Sequence, residues 1–276
     1  MININTRKVN IFDMNGTFTL RNTVKIPYLG MNVSHIEEGK AIFDATRRAL
    51  SIGYKYFDTS SNYQNEVGFG EAIASSKMNR EKVFVSSKIA DEDQGFEPLI
   101  SAFNRTLNNM KLDYLDLVLL GHPIEGKIQE SWRALEQLYV ERRVRAIGVC
   151  NFNVEQLKEL IANADVFPVV NQIEYNPLHV EHDIIEFCKE NGIQVISIGS
   201  LKHGEVLELE EVKVLAEKYD VFPCQVVLRW VLQNGIVSLP QAEIREHIIS
   251  NSALFNFELT EEDMNLLNSL SSTELV

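Results

Sequence analysis

Asp58, Tyr63 and Lys88 are of the right types, at the right spacing, to move a proton. Tyr54 to Phe57 is an apolar, strand-like run that ends on Asp58. Ser60-Ser61-Asn62 supplies turn chemistry before Tyr63, and Asn65-Glu66 opens a helical pattern. The following strand-like run, Lys82 to Ser87, ends on Lys88. An acid at one strand end, a tyrosine in the next loop and a lysine at the next strand end can share one cleft. Reduction of a carbonyl needs a hydride at carbon and a proton at the developing oxyanion. A phenol, with a pKa of about 10 when free, becomes a useful donor where a cation stabilises its phenolate. In this reading Lys88 is the cation, Asp58 orients it, and Tyr63 is general acid in reduction and base in oxidation. Taken singly, each residue has an ordinary explanation: Asp58 as a turn former, Lys88 as a solvated strand end, Tyr63 as an amphipathic side chain. The case rests on all three together.

The elements that must position them alternate. Phe18 to Pro27 reads as two short strands around a turn at Arg21-Asn22-Thr23. Strand candidates then follow at Tyr28–Val33, Tyr54–Asp58, Val83–Lys88, Leu115–Leu120, Ala146–Cys150, Pro168–Gln172, Gln194–Ile198 and Ile236–Leu239. Helical periodicity falls between them, over Glu37–Ile52, Glu66–Ser75, Pro98–Asn109, Lys127–Glu141, Val154–Ala162, Glu181–Asn191, Glu208–Tyr219, Cys224–Gln233 and Ile244–Ser250. Thr260 to Leu270 adds a last helix, opened by a threonine cap and acids in its first turn. Residues 1–15 read as a frayed arm or an added strand.

Eight strands alternating with helices and no linker predict one α/β domain over residues 1–276, a single (β/α)8 TIM barrel with an N-terminal β-hairpin. An open doubly wound sheet is the other α/β option. The sequence has no G-x-G-x-x-G after the first strand and no P-loop to support it. In a barrel, functional groups collect at the C-terminal ends of the strands. Asp58, Lys88, His122, Cys150, Asn151, Gln172, Ile198 and Pro240 all fall there.

The chain has 276 residues and a formal charge of −13, which disfavours nucleic acid and anionic membrane as partners. No apolar run approaches the roughly 20 residues that span a bilayer. The first residues lack a signal-peptide pattern. Cys150, Cys188 and Cys224 are three thiols without metal-ligand spacing, so reduced cysteines in a cytoplasmic protein are expected, with no metal. A monomer or weak homo-oligomer is expected, since no apolar face stands out.

The string Gly53-Tyr-Lys-Tyr-Phe-Asp58-Thr-x3-Tyr63-x-Asn65-Glu66-x3-Gly70 resembles the signature of the aldo-keto reductases. The resemblance runs from about residue 18 to 265. It includes Ile26 to Gly30, Leu112 to Leu117, Ile147 to Phe152, Val169 to Pro177 and Leu228 to Gln233. It implies that Asp58, Tyr63 and Lys88 are three members of a catalytic tetrad. It also implies a nicotinamide cofactor, NADP(H) or NAD(H), and a small-molecule carbonyl substrate. Asn151 and Gln172 match residues that bond the nicotinamide carboxamide, and Asn251 matches one that contacts adenine. Val33, Cys150, Ile198, Gly199, Leu201, Gln241, Ala242 and His247 occupy other cofactor-lining positions.

Several of these depart from the family pattern. Leu119-Leu-Gly-His122-Pro123 stands in place of a string in which a catalytic His precedes a Trp, so Gly121 takes the His position and His122 that of the Trp. Strand alternation points His122 away from the pocket unless the chain bulges, and a glycine accommodates a bulge best. His122 is therefore either the fourth catalytic residue or a structural residue of the rim. Asn32-Val33 replaces Gly-Thr, Cys150 a Ser, and Ile198 a stacking Tyr. Gln241, Ala242 and His247 replace the Lys, Ser and Arg that grip an adenosine 2′-phosphate, and so remove most of that grip. NADPH is then favoured over NADH only by family habit. Short loops around the mouth imply an open pocket with modest discrimination among substrates, or a pocket completed by a partner subunit.

The leading expectation is an NAD(P)H-dependent enzyme that reduces an aldehyde or ketone to an alcohol. It would be slow, because one orienting donor is missing. The alternatives are a barrel that kept the fold as a binding or regulatory protein, and a non-redox acid/base enzyme using Tyr63 and Lys88.

Overall fold

The computed structural model describes residues 13–272. The expected arm lies largely in residues 1–12, outside the described residues. Asp13 to Gly16 form a turn, closed by a hydrogen bond from Gly16 N–H to the Asp13 carbonyl at 3.1 Å.

The first two strands, β1 (Thr17–Thr19) and β2 (Lys25–Pro27), pair antiparallel as the expected hairpin. Eight parallel strands follow: β3 (Met31–Asn32), β4 (Tyr56–Ser60), β5 (Phe84–Ile89), β6 (Leu117–Leu120), β7 (Ile147–Cys150), β8 (Val170–Glu174), β9 (Gln194–Ile198) and β10 (Val237–Ser238). Each is bonded to its sequence neighbour. The ends meet through parallel bridges Leu29–Ser238 and Asn32–Gln241, so the sheet closes as a barrel. The first barrel strand pairs over fewer residues than its apolar run suggested. Gly30 explains why it can lie there at all: a Cβ would be 2.6 Å from Leu239 and 2.7 Å from the Tyr56 ring, which fill the interior.

The helices are α1 (Lys40–Ile52), α2 (Glu66–Ser75), α3 (Phe96–Met110), α4 (Ile128–Val140), α5 (Val154–Asn163), α6 (His182–Glu190), α7 (Glu210–Tyr219), α8 (Pro223–Gln233), α9 (Arg245–Ser252) and α10 (Glu261–Ser269). Their ends follow local chemistry. Gly53 terminates α1 with φ 119°, and Asn153 with Gln156 forms a reciprocal capping box on α5. The segment Lys202–Glu208, before α7, is 3₁₀ and kinked at His203 and Gly204.

Strand residues alternate between two apolar compartments. Phe57, Val85, Val118, Leu120 and Val149 face the helices, while Tyr56, Phe84, Leu117, Leu119, Val170, Ile196 and Leu239 fill the barrel. Leu20 and Ile26, from the hairpin, join that interior cluster and plug its N-terminal end. The same alternation turns Asp58, Ser86, Lys88 and Gln172 inward one layer higher. The barrel is thus apolar below and polar at the C-terminal mouth.

Candidate active site

Asp58 is fully buried at the middle of β4, and Lys88 extends from the adjacent strand to form an ion pair with Asp58 Oδ2. The remaining acceptor positions of the carboxylate are filled from neighbouring strands. Asn32 Nδ2 donates to Oδ2 at 3.0 Å, and Ser86 Oγ donates to Oδ1 at 2.6 Å. This satisfies a buried charge that would otherwise cost several kcal/mol. Desolvation is the largest influence on Lys88 and pulls its pKa down. The fields of Asp58, Tyr63 and Cys150, with the Asp58 hydrogen bond, outweigh it and raise the pKa above the usual lysine value. The ammonium therefore stays charged at neutral pH.

Tyr63 ends a 3₁₀ turn, Ser61–Tyr63, that starts where β4 stops. Lys88 Nζ is 5.3 Å from the centre of its ring. The turn is held from behind. Asn65 Nδ2 donates to the carbonyls of Val33 at 2.8 Å and Ile36 at 3.0 Å. The buried Glu66 carboxylate accepts from Thr106 and Asn109, both at 2.8 Å. Gly70 lets α2 approach the Met110 backbone too closely for any Cβ. Asn65, Glu66 and Gly70 in the sequence string are thus scaffold for Tyr63. Ser86 was not singled out in the sequence; the inward phase of Phe84 and Lys88 was the available signal.

On the opposite wall, Cys150 Sγ contacts Gln172 Oε1 at 3.7 Å. Burial pushes the Cys150 thiol up to about 12, against the field of Lys88, so it is a neutral donor. Gln172 Nε2 is buried and has no hydrogen-bond partner among the described residues. Leaving such a donor unmet costs about 1–3 kcal/mol. A ligand carbonyl oxygen at that point would satisfy it, and the carboxamide of a nicotinamide offers one; the residues fit that group. Asn151 adopts φ 58° and donates its backbone N–H to the Gln172 carbonyl at 2.9 Å, which turns the chain off the strand at the mouth. Ile198 and Leu201 are half-buried beside Gly199, which has φ 65°.

The outer cofactor positions are less alike. Gln241 is exposed and donates to the Ser34 carbonyl at 2.8 Å, tying the loop after β10 to that after β3. His247 is exposed on α9, Asn251 is buried there, and Ala242 is buried beneath the loop. Lys202 pairs with Glu205 at 3.2 Å. Val33 is buried, with its side chain in the outer core.

His122 stands on the rim. Its ring is 65% exposed and pairs through Nδ1 with Asp91 Oδ2 at 3.1 Å. It has no hydrogen bond to Tyr63, Lys88 or Asp58 among the described residues. Gly121 shows no room for the side chain that the family pattern puts there. A Cβ would lie 2.5 Å from the Ile89 carbonyl oxygen and 3.1 Å from Asp91 Oδ1.

Comparison with known proteins gives the family and the fold. Residues 35–272 match the model of the Aldo/keto reductase family. The chain is 41% identical over 261 residues to glyoxal reductase of Bacillus subtilis, covering 94% of each. A solved aldo-keto reductase, MGS-M4 from a Medee basin deep-sea metagenome library, superposes with TM-score 0.90 at 35% identity, over 94% of this chain and 97% of that one. A silkworm aldo-keto reductase complexed with NADPH superposes with TM-score 0.86 at 27% identity, over 92% and 87%. The chain belongs to the aldo/keto reductase family, and it is an oxidoreductase of that kind.

Proposed function

We propose that this protein reduces small aldehydes or ketones to alcohols, taking its hydride from NADPH or NADH. The observation that carries this reading is the Lys88 ammonium, ion-paired with buried Asp58 and 5.3 Å from the Tyr63 ring. When bound, the dihydronicotinamide supplies the hydride. Gln172 donates its unmet N–H to the carboxamide, with Asn151 and Cys150 alongside. Tyr63 gives its proton to the carbonyl oxygen as negative charge develops there, and the neighbouring ammonium stabilises the phenolate left behind. Asp58 holds that ammonium in place. Only six residues, Gly121 to Gly126, lie between β6 and the residue preceding α4, which supports an open mouth and a small substrate. Glyoxal reductase is the name of a similar protein, and glyoxal is a sensible first substrate.

The exposed Gln241 and His247 offer no fixed cation to a 2′-phosphate, which supports near-equal use of the two nucleotides. Three free thiols, at Cys150, Cys188 and Cys224, fit a reducing cytoplasm. The test is a titration of the purified protein with NADPH and with NADH, followed by tryptophan fluorescence. Saturable binding of either at micromolar levels, with affinities within about tenfold of each other (some 1.4 kcal/mol), is the expected result. Binding of neither contradicts the redox reading.

A further inference from the structure

Asn32, Asp58 and Ser86 stand side by side on three neighbouring strands, since Asn32 pairs with Asp58 and Asp58 with Ser86 in the parallel register. Ser86 and Lys88 both hold the Asp58 carboxylate from β5, Ser86 Oγ at 2.6 Å from Oδ1 and Lys88 through its ion pair with Oδ2. From the β3 side the carboxylate receives, among the described residues, one bond, from Asn32 Nδ2 to Oδ2 at 3.0 Å. The family pattern puts a glycine at 32, which has no side chain to make that bond.

The Asn32 amide is itself held in place. Its Oδ1 accepts from the Ser34 N–H at 2.8 Å, so Nδ2 is the end that faces Asp58. Its backbone N–H donates to the Pro240 carbonyl at 3.1 Å, and the Val33 N–H donates to the Asp58 carbonyl at 3.1 Å. Gln241 Nε2 donates to the Ser34 carbonyl at 2.8 Å and pins the same loop from β10. Asn32 is therefore a buried donor anchored to both of the strands that flank β3. Asp58 in turn holds Lys88, whose Nζ lies 5.3 Å from the centre of the Tyr63 ring. Without the Asn32 bond, both remaining contacts draw the carboxylate toward β5. The ammonium then follows it away from the turn after β4 that carries Tyr63.

We infer that Asn32 is a positioning residue of the proton-transfer set: its side-chain N–H holds Asp58 Oδ2 from the β3 side and so keeps the Lys88 ammonium beside Tyr63. This rests on the carbonyl-reductase reading and adds a residue whose effect falls on the chemical step rather than on nucleotide binding.

The test measures kcat for glyoxal, and affinity for the nucleotide that binds, in wild type, Asn32→Ala and Asn32→Asp. Asn32→Ala should lower kcat about tenfold, as expected for one lost hydrogen bond to a charged group, with nucleotide affinity within about twofold of wild type. Asn32→Asp keeps the acceptor for Ser34 but turns a carboxylate on Asp58. Its kcat should fall further at about pH 8 and recover relative to wild type toward about pH 6, because a protonated carboxyl can donate the bond again. The other titratable groups around Asp58 are Lys88, Tyr63, Tyr56 and Cys150. Burial raises the Tyr56 phenol and the Cys150 thiol, which keeps both neutral over this range. Wild type carries all four, so the ratio of variant to wild type isolates position 32. A wild-type kcat in Asn32→Ala overturns this inference alone. So does a loss of nucleotide affinity as large as the loss of kcat, or an Asn32→Asp deficit that is the same at both pH values. No turnover of glyoxal by wild type overturns the reductase reading and the inference with it.

Discussion

Gly121 lies so close to the Ile89 carbonyl that a Cβ at position 121 would be 2.5 Å from that oxygen. Backbone, unlike a flexible side-chain tip, cannot move aside cheaply. The departure from the family pattern at 121 is therefore built into how β5 and β6 end, and one substitution does not reverse it.

Gly121→Ala should destabilise the protein by about 1–3 kcal/mol through overpacking, read as a lower urea midpoint at constant m. Gly121→His should unfold at least as early and should not become a faster reductase. A His variant as stable as wild type would show that the rim rearranges freely.

Asp58→Asn keeps the shape of the buried carboxylate but strands the Lys88 charge. Removing one partner of a buried ion pair costs about 3–5 kcal/mol. The variant should show a urea midpoint lowered accordingly, with reductase activity lost as well. Lys88→Met, which removes the cation and leaves Asp58 with Asn32 and Ser86, should also be inactive. Wild-type stability in Asp58→Asn would mean that Lys88 had escaped to solvent.

The C-terminal helix is locked onto α7 by Asp263, which accepts from Lys218 at 2.8 Å, from Thr260 at 2.7 Å and from Tyr219. Burial raises the Asp263 pKa, but these bonds and the Lys218 charge outweigh it and lower the value to about 2. A depressed carboxylate contributes stability above its unfolded pKa of about 3.9 and loses it as pH falls through the folded value. The contribution should fade between pH 4 and pH 2. Acid unfolding of Asp263→Asn should lack this component; an identical acid limb in both proteins would refute the assignment.

Much of this was legible in the sequence because strand and helix periods differ and a barrel sorts inward from outward residues. Asp58 and Lys88 are two residues past Tyr56 and Ser86, so the alternation that buries Tyr56 and Phe84 also turns the ion pair inward. The hairpin and the capped α10 were visible from turn and cap chemistry. Tertiary closeness was not visible. Nothing local says that Ser86 and Asn32 complete the Asp58 shell, or that Asp91 and Gln94 hold His122 from the neighbouring strand's loop. Val33 is a further case: its place in the string was matched, but only packing shows that its side chain faces the helices.

The central claim is that Tyr63 delivers the proton. The most direct measurement is turnover of glyoxal by Tyr63→Phe, followed by loss of dihydronicotinamide absorbance, beside nucleotide titrations and thermal melts of the same sample. Tyr63→Phe should lose about 100-fold or more in kcat while binding nucleotide and unfolding as wild type does. A variant that turns over glyoxal at the wild-type rate would contradict the account.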